Sequence, residues 1–152
     1  MERYRQDAML QDFEIHLATS AKEVAKYCRL IVTTTPAENP ILFAHDIAKG
    51  THITAIGSDR PGKQELDAAI LKLADRIVVD SRSQCFQYGE TFCAIQSNLI
   101  SKDKVDEIGE IIAGNKPGRI SEDEITVADL TGLGVQDLEI ALGFQKMLKK
   151  QH

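Results

Sequence analysis

"HITAIGSDRPGKQELDAAILKLADRIVVDS", residues 52–81, holds three kinds of pattern in thirty residues. "HITAIG" (52–57) is short and rich in apolar and β-branched residues, and a glycine ends it, as in a buried strand. "ELDAAILKLAD" (65–75) repeats apolar residues at helical spacing through Leu66, Ile70, Leu71 and Leu73. "RIVVD" (76–80) is a second buried strand. Strand, helix and strand within so short a distance predict a crossover unit of a parallel sheet. The loop between them is less easily explained. It needs only Pro61 and Gly62 to turn, yet it also holds Asp59, Arg60 and Lys63, three charges of two signs.

The same alternation extends in both directions. "LIVTTT" (30–35) is a continuous β-branched run, expected of a strand covered on both faces, and Pro36, Asn39 and Pro40 break it. Before it, Ser20 and Glu23 have capping-box spacing for a helix to about Cys28. "FEIHLA" (13–18) alternates as a half-buried strand would, and residues 1–11 read as a polar helix. A short helix is expected over 41–50 and a longer one over 102–115. The segment from Ser81 to Glu90 opens on a residue suited to capping. A strand is expected over 124–129, then a helix over 134–150 with a stripe of Val135, Leu138, Ala141, Leu142 and Met147. The fold class is α/β, a parallel sheet with flanking helices in a single domain over residues 1–152.

Composition narrows the function classes. A net charge of −5 with interspersed signs lacks the basic face that nucleic acid requires. No apolar run approaches the ~18 residues of a membrane span, and "MERYRQD" is no signal peptide. Cys28, Cys85 and Cys93 are odd in number and form no CxxC pair, so reduced thiols in a cytoplasmic protein are expected. His16, His45 and His52 lack metal-ligand spacing.

In open parallel sheets, ligands sit beyond the carboxyl ends of the strands. Three strands end there in polar residues: Thr33, Thr34 and Thr35; Gly57, Ser58 and Asp59; Asp80 and Ser81. Helix capping accounts well for Asp80 and Ser81 and less well for Asp59, which precedes the next helix by several residues. The alternative for Asp59 is proton transfer beside a bound cofactor, with burial raising its pKa and Lys63 opposing the rise. Lys63 is also suited to a phosphate or a ribose hydroxyl. Gly132-x-Gly134 imitates a dinucleotide fingerprint, but Asp137 stands where a small residue is wanted and would repel a diphosphate. A tight turn into the last helix is the better account.

"IVTTTP" (31–36), "GTHITAIGSDRPGKQELD" (50–67), "ADRIVVDS" (74–81) and "GEIIAGNKPGRISEDEITVADLTGLGVQDL" (109–138) follow in an order that resembles the ornithine cyclodeaminase family. That family includes mu-crystallin, ketimine reductases and archaeal-type alanine dehydrogenase. The resemblance implies a Rossmann domain binding NAD(P), with hydride moving between the cofactor and an amino-acid or imino-acid substrate. By resemblance Asp59 matches the catalytic carboxylate, and Lys63 a lysine near the cofactor. Ile53, Thr54 and Ala55 match backbone contacts to the nicotinamide half. Thr33, Thr34 and Thr131 match cofactor-side threonines. The family's "DSTG" is "DLTG" here, so Leu130 removes a hydrogen bond that Thr131 is expected to replace.

The resemblance also implies parts that these residues do not include: the first two Rossmann strands, the Gly-rich turn, the ribose reader and a substrate domain. With strand order 3-2-1-4-5-6, the gap falls between "FEIHLA" and "LIVTTT". Either those two close together or the exposed edges pair with another chain. A dimer burying Val135, Leu138, Leu142 and Phe144 is expected. Three readings remain open. The chain is a truncated family member without independent activity, an enzyme completed by a second chain, or a repurposed binding module.

Overall fold

A computed structural model describes residues 12–149. Five strands form one wholly parallel sheet: β1 (Leu30–Thr33), β2 (His52–Ala55), β3 (Arg76–Val79), β4 (Val105–Glu107) and β5 (Thr126–Asp129). Their order is β1-β2-β5-β3-β4. The last strand is therefore central, between β2 and β3, and not beyond β3 as a sequential reading has it. The helices are α1 (Ala21–Tyr27), α2 (Ala68–Leu73), α3 (Arg82–Cys85), α4 (Glu90–Gln96), α5 (Ile108–Ile112) and α6 (Gly134–Lys149). This is a partial Rossmann-like sheet with flanking helices.

One face of the sheet carries the core. Ile31, Ile53, Val127 and Ile77 lie side by side in register, with Thr33, Ala55, Asp129 and Val79 in the next row. All eight are buried, and Leu42, Leu66, Ile70, Leu71, Cys85 and Ala94 join the same core. On the opposite face Leu30 and Val32 are exposed, and His52, Thr54 and Val78 are only half-buried.

Several expectations need correction. Residues 13–18 form no strand, so β1 has a free edge among the described residues, and "FEIHLA" does not close on it. The segment alternates, but Phe13 and Leu17 are exposed, with no strand beside them among the described residues. The helix expected over 102–115 is a 3-10 turn at Lys102–Lys104, the strand β4 and the short α5. Pairing with β3 overrides the helical spacing of Val105 and Ile108. The segment 41–50 holds only a 3-10 turn, Ala44–Asp46. Helix α2 begins at Ala68 and not at Glu65, because Asp67 caps it by accepting Ala69 N–H at 3.0 Å. Ser20 accepts Glu23 N–H at the start of α1, as the spacing implies. The helix read over residues 1–11 lies outside the described residues.

Helix α6 stands apart. Every residue from Val135 to Leu148 is exposed. At 100° per residue, Leu138, Leu142 and Val135 share one side while Phe144, Ile140 and Met147 lie on another. The four residues expected in a dimer contact therefore do not form one face: Phe144 points away from the other three. An apolar arc this wide is typical of a helix covered from more than one side.

Candidate functional site at the strand tips

Parallel pairing brings the carboxyl ends of β1, β2, β5 and β3 to one rim, in that order. The rim residues fall into two groups, each organised by a buried carboxylate.

The first group is centred on Glu65. Its Oε2 accepts Thr33 Oγ1–H at 2.6 Å and Gly57 N–H at 2.9 Å. Its Oε1 accepts Thr35 N–H at 2.5 Å and Thr35 Oγ1–H at 2.8 Å. The side chain is fully buried. Gly57 has to be glycine, because a Cβ there would collide with the Thr35 carbonyl and the Glu65 carboxylate. Beneath it, Glu90 at the start of α4 accepts Glu65 N–H at 2.7 Å and Leu66 N–H at 3.0 Å. Burial pushes the Glu90 carboxyl up to about 8, although both backbone donors favour its charged form. Asp129, at the tip of β5, accepts Thr91 N–H at 2.8 Å and so holds the first turn of α4. Burial raises its carboxyl to about 6. Asp129 Oδ1 has no hydrogen-bond partner among the described residues, and it lies close to the position a Cβ on Gly89 would take.

Asp59 and Lys63 project from the loop that Glu65 closes. Lys63 Nζ donates to Asp59 Oδ1 at 2.7 Å and to the Gly57 carbonyl at 3.1 Å. Ser58 Oγ donates to the Lys63 carbonyl at 2.7 Å. This explains the mixed charges of the loop: the lysine folds inward, 13% exposed, and ties the acid to the loop's own backbone. Of the two opposed effects expected on Asp59, the Lys63 one dominates while the rim is uncovered. Its side chain is 54% exposed, and the Lys63 ammonium holds its carboxyl below the usual range. Among the described residues, none covers Asp59 enough for burial to win.

The second group is centred on Asp80. Oδ2 accepts Gly132 N–H at 2.8 Å, and Oδ1 accepts Ser81 N–H at 2.9 Å and Thr131 Oγ1–H at 3.3 Å. Asp80 therefore fastens the turn after β5 and does not cap α3, whose first-turn Arg82 N–H goes to Glu107 at 2.8 Å. Thr131 is buried, and its hydroxyl also accepts from Gln84 Nε2 at 2.9 Å. Its hydroxyl is engaged by Asp80 and Gln84 within the chain.

The remaining expected residues are dispersed. Thr34 is exposed at the rim. Ile53 and Ala55 are buried in a strand paired on both sides, and the Ala55 carbonyl accepts Leu130 N–H at 2.9 Å. Thr54 lies on the open face, where its hydroxyl is 3.1 Å from His52 Nε2.

Sequence reading passed over Glu65, Glu90, Asp129 and Tyr88. By sequence Glu65 reads as the first residue of a helix. The signal against that was Asp67, a better cap two residues later. Tyr88 lines a cleft of about 300 Å³ with Pro61, Lys63, Gln64 and Phe92, beside the Asp59 loop. Burial and the acids Asp80 and Asp59 raise its phenol.

The rim accommodates a dinucleotide only in part. Polar groups gather at the tips of β1 and β2. The one Gly-x-Gly turn among the described residues has Gly132 N–H bonded to Asp80, with Asp137 in the first turn of α6. Two acids at that turn repel a diphosphate. The Gly132 turn thus does not suit a diphosphate.

Comparison with known proteins agrees with this architecture. Over 132 residues the chain is 46% identical to an alanine dehydrogenase from Archaeoglobus fulgidus, covering 86% of this chain and 41% of that protein. A solved archaeal alanine dehydrogenase dimer with bound NAD superposes with a TM-score of 0.82 at 43% identity, over 95% of this chain and 45% of the other. The iminosuccinate reductase of Paracoccus denitrificans in complex with NAD+ gives a TM-score of 0.76 at 40% identity, over 80% and 37%. The chain spans about two fifths of the length of the curated relatives it matches. Residues 1–150 match the model of the ornithine cyclodeaminase/mu-crystallin family, whose members include NAD(P)-dependent amino-acid dehydrogenases and cyclodeaminases, and the chain belongs to that family.

Proposed function

We propose that this chain supplies the nicotinamide-side rim of an NAD(P)-dependent oxidoreductase or cyclodeaminase acting on an amino or imino acid, and that it has no turnover by itself. The observation that carries the reading is the Asp59–Lys63 pair, held at the tip of β2 beside Thr33 and Thr35. When bound, the nicotinamide would accept or donate hydride at the substrate's α-carbon. Asp59 takes or returns the accompanying proton, or activates water at the imine carbon. Lys63 keeps Asp59 ionised until a ligand covers the rim, and covering then raises the Asp59 pKa toward the working range. Thr34 is free to meet the cofactor, whereas Thr33 and Thr131 act by shaping the rim. Ile53, Thr54 and Ala55 form the floor beneath it.

The lack of independent turnover rests on three features: the free edge of β1, the acids at the Gly132 turn, and the exposed apolar helix α6. The edge, free among the described residues, and the helix are what a sheet packed against further polypeptide would present, and the acids disfavour a diphosphate. Titration with NADH, followed by its fluorescence, tests this. No saturable change up to millimolar concentration is expected from the chain alone, and tight binding would overturn the reading. In an assembled, active form, Asp59→Asn is expected to abolish turnover and leave nucleotide affinity nearly unchanged.

A further inference from the structure

The loop from Gly57 to Glu65 is fastened by its own last residue. Glu65 reaches back to Gly57 N–H while also holding the hydroxyl of Thr33 and both donors of Thr35. The Gly57 carbonyl is in turn the second acceptor of Lys63 Nζ, whose first is Asp59. Glu65 does not touch Asp59, yet the one bond that Lys63 Nζ makes besides Asp59 goes to the residue Glu65 grips, while Ser58 Oγ holds the Lys63 backbone separately. The grip is itself supported. Glu90 holds the backbone N–H of Glu65 and Leu66, and Asp129 holds the helix turn that carries Glu90. Three buried carboxylates from three separate segments thus link the centre of the sheet to the exposed acid–base pair.

We infer that Glu65 is a positioning residue, a buried staple that fixes the Gly57 backbone and through it the Lys63–Asp59 pair, with Glu90 and Asp129 holding the staple in place. The inference rests on the reading of Asp59 as the proton-transfer group, but its test needs no nucleotide. In Glu65→Gln one oxygen is replaced by an amide NH2 that faces donors. Gly57 is released, its carbonyl leaves Lys63, and Lys63 leaves Asp59.

The test is an NMR titration of the Asp59 carboxyl, together with amide hydrogen exchange, on the full chain. In Glu65→Gln the Asp59 carboxyl should titrate at higher pH than in wild type, toward the ordinary carboxylate range. Exchange at Gly57 and Thr35 should be faster by about tenfold or more, as expected for loss of a hydrogen bond to a charged group. Thr33→Val removes one donor with little change in volume and should give a smaller shift in the same direction. Glu90→Gln, which touches neither Gly57 nor Asp59, should also move both signals. A purely structural role would lower the melting temperature and leave the Asp59 titration where it is in wild type, and that result would overturn the inference. If Glu65→Gln does not fold, the other two variants decide: a shifted Asp59 supports the staple, and an unshifted one in both refutes it. Tight NADH binding by the wild-type chain would overturn the functional reading but leave this outcome standing.

Discussion

The two faces of the sheet are made from the same strands and differ in fate everywhere but at central β5, which is buried on both. Ile53 and Ile77 point to one side and are at most 1% exposed, while Leu30 and Val32 point to the other and are 67% and 54% exposed. Strand propensity is equal on both sides, because residues in the same strand alternate between them. What differs is the covering. One side has α2, α4 and the 41–47 and 65–66 segments packed over it. The other has only a shallow cleft of about 330 Å³, with Ile108, Ile111, Arg76 and Arg119 in its walls. Polar groups divide the same way. The covered side holds bonded buried acids, and the open side holds His52, whose pKa burial and Arg119 both lower. The covered side behaves as a finished domain interior. The open side and α6 leave apolar side chains exposed among the described residues.

The largest test of that contrast is a pair of truncations in neighbouring strands. Ile53→Ala should cost about 2–5 kcal/mol, whereas Val32→Ala should stay within about 0.5 kcal/mol, both read from urea melts. Equal costs would mean that the open face is covered in solution. Next comes Gly57→Ala, whose methyl has to displace either the Thr35 carbonyl or the Glu65 carboxylate. A loss of about 1–3 kcal/mol is expected, typical of forced overpacking. Glu90→Gln turns an amide NH2 toward a backbone donor and should cost about 1–3 kcal/mol at low pH.

Glu90 also makes stability depend on pH. Its carboxyl is raised in the folded state, to about 8, so the unfolded chain loses this proton first. Stability from this group is therefore fully present below its unfolded pKa of about 4.5 and declines as pH rises to about 8. Asp129 adds a decline of the same sign between about 4 and about 6. Melts across pH 5–8 should show the fall in wild type, and Glu90→Gln should flatten it. Smaller still is Leu138→Gln in α6, expected to change the stability of the isolated chain by less than about 0.5 kcal/mol. The thiols report the contrast without mutation. Cys28 is exposed and should react with a maleimide, while Cys85 is buried, its thiol pushed up to about 12, and should remain silent until the chain unfolds.

Most strands were legible because β-branched runs between turn residues leave few alternatives, as at "LIVTTT" and "RIVVD". Their order was not, since nothing local to residues 126–129 says that they enter between β2 and β3. "FEIHLA" failed for a different reason: alternation shows what a segment is able to pair with, and no neighbour stands beside it here. At the site, Asp59 and Lys63 stood out because charge in a turn is conspicuous. Glu65 and Glu90 were hidden because acids at helix starts are ordinary, and only the fold shows that both side chains point inward to backbone donors. Both influences on the Asp59 pKa were legible, burial and Lys63, but not which one wins, because that depends on how far the rim is covered.

The unpaired margin of β1 also carries a polarity. Two copies joined there around a twofold axis would meet with their strands running in opposite senses, giving one antiparallel seam in an otherwise one-way sheet. A strand extending the existing ladder would instead run alongside β1 and leave no seam. The direction of the next strand at that margin therefore distinguishes self-association from completion.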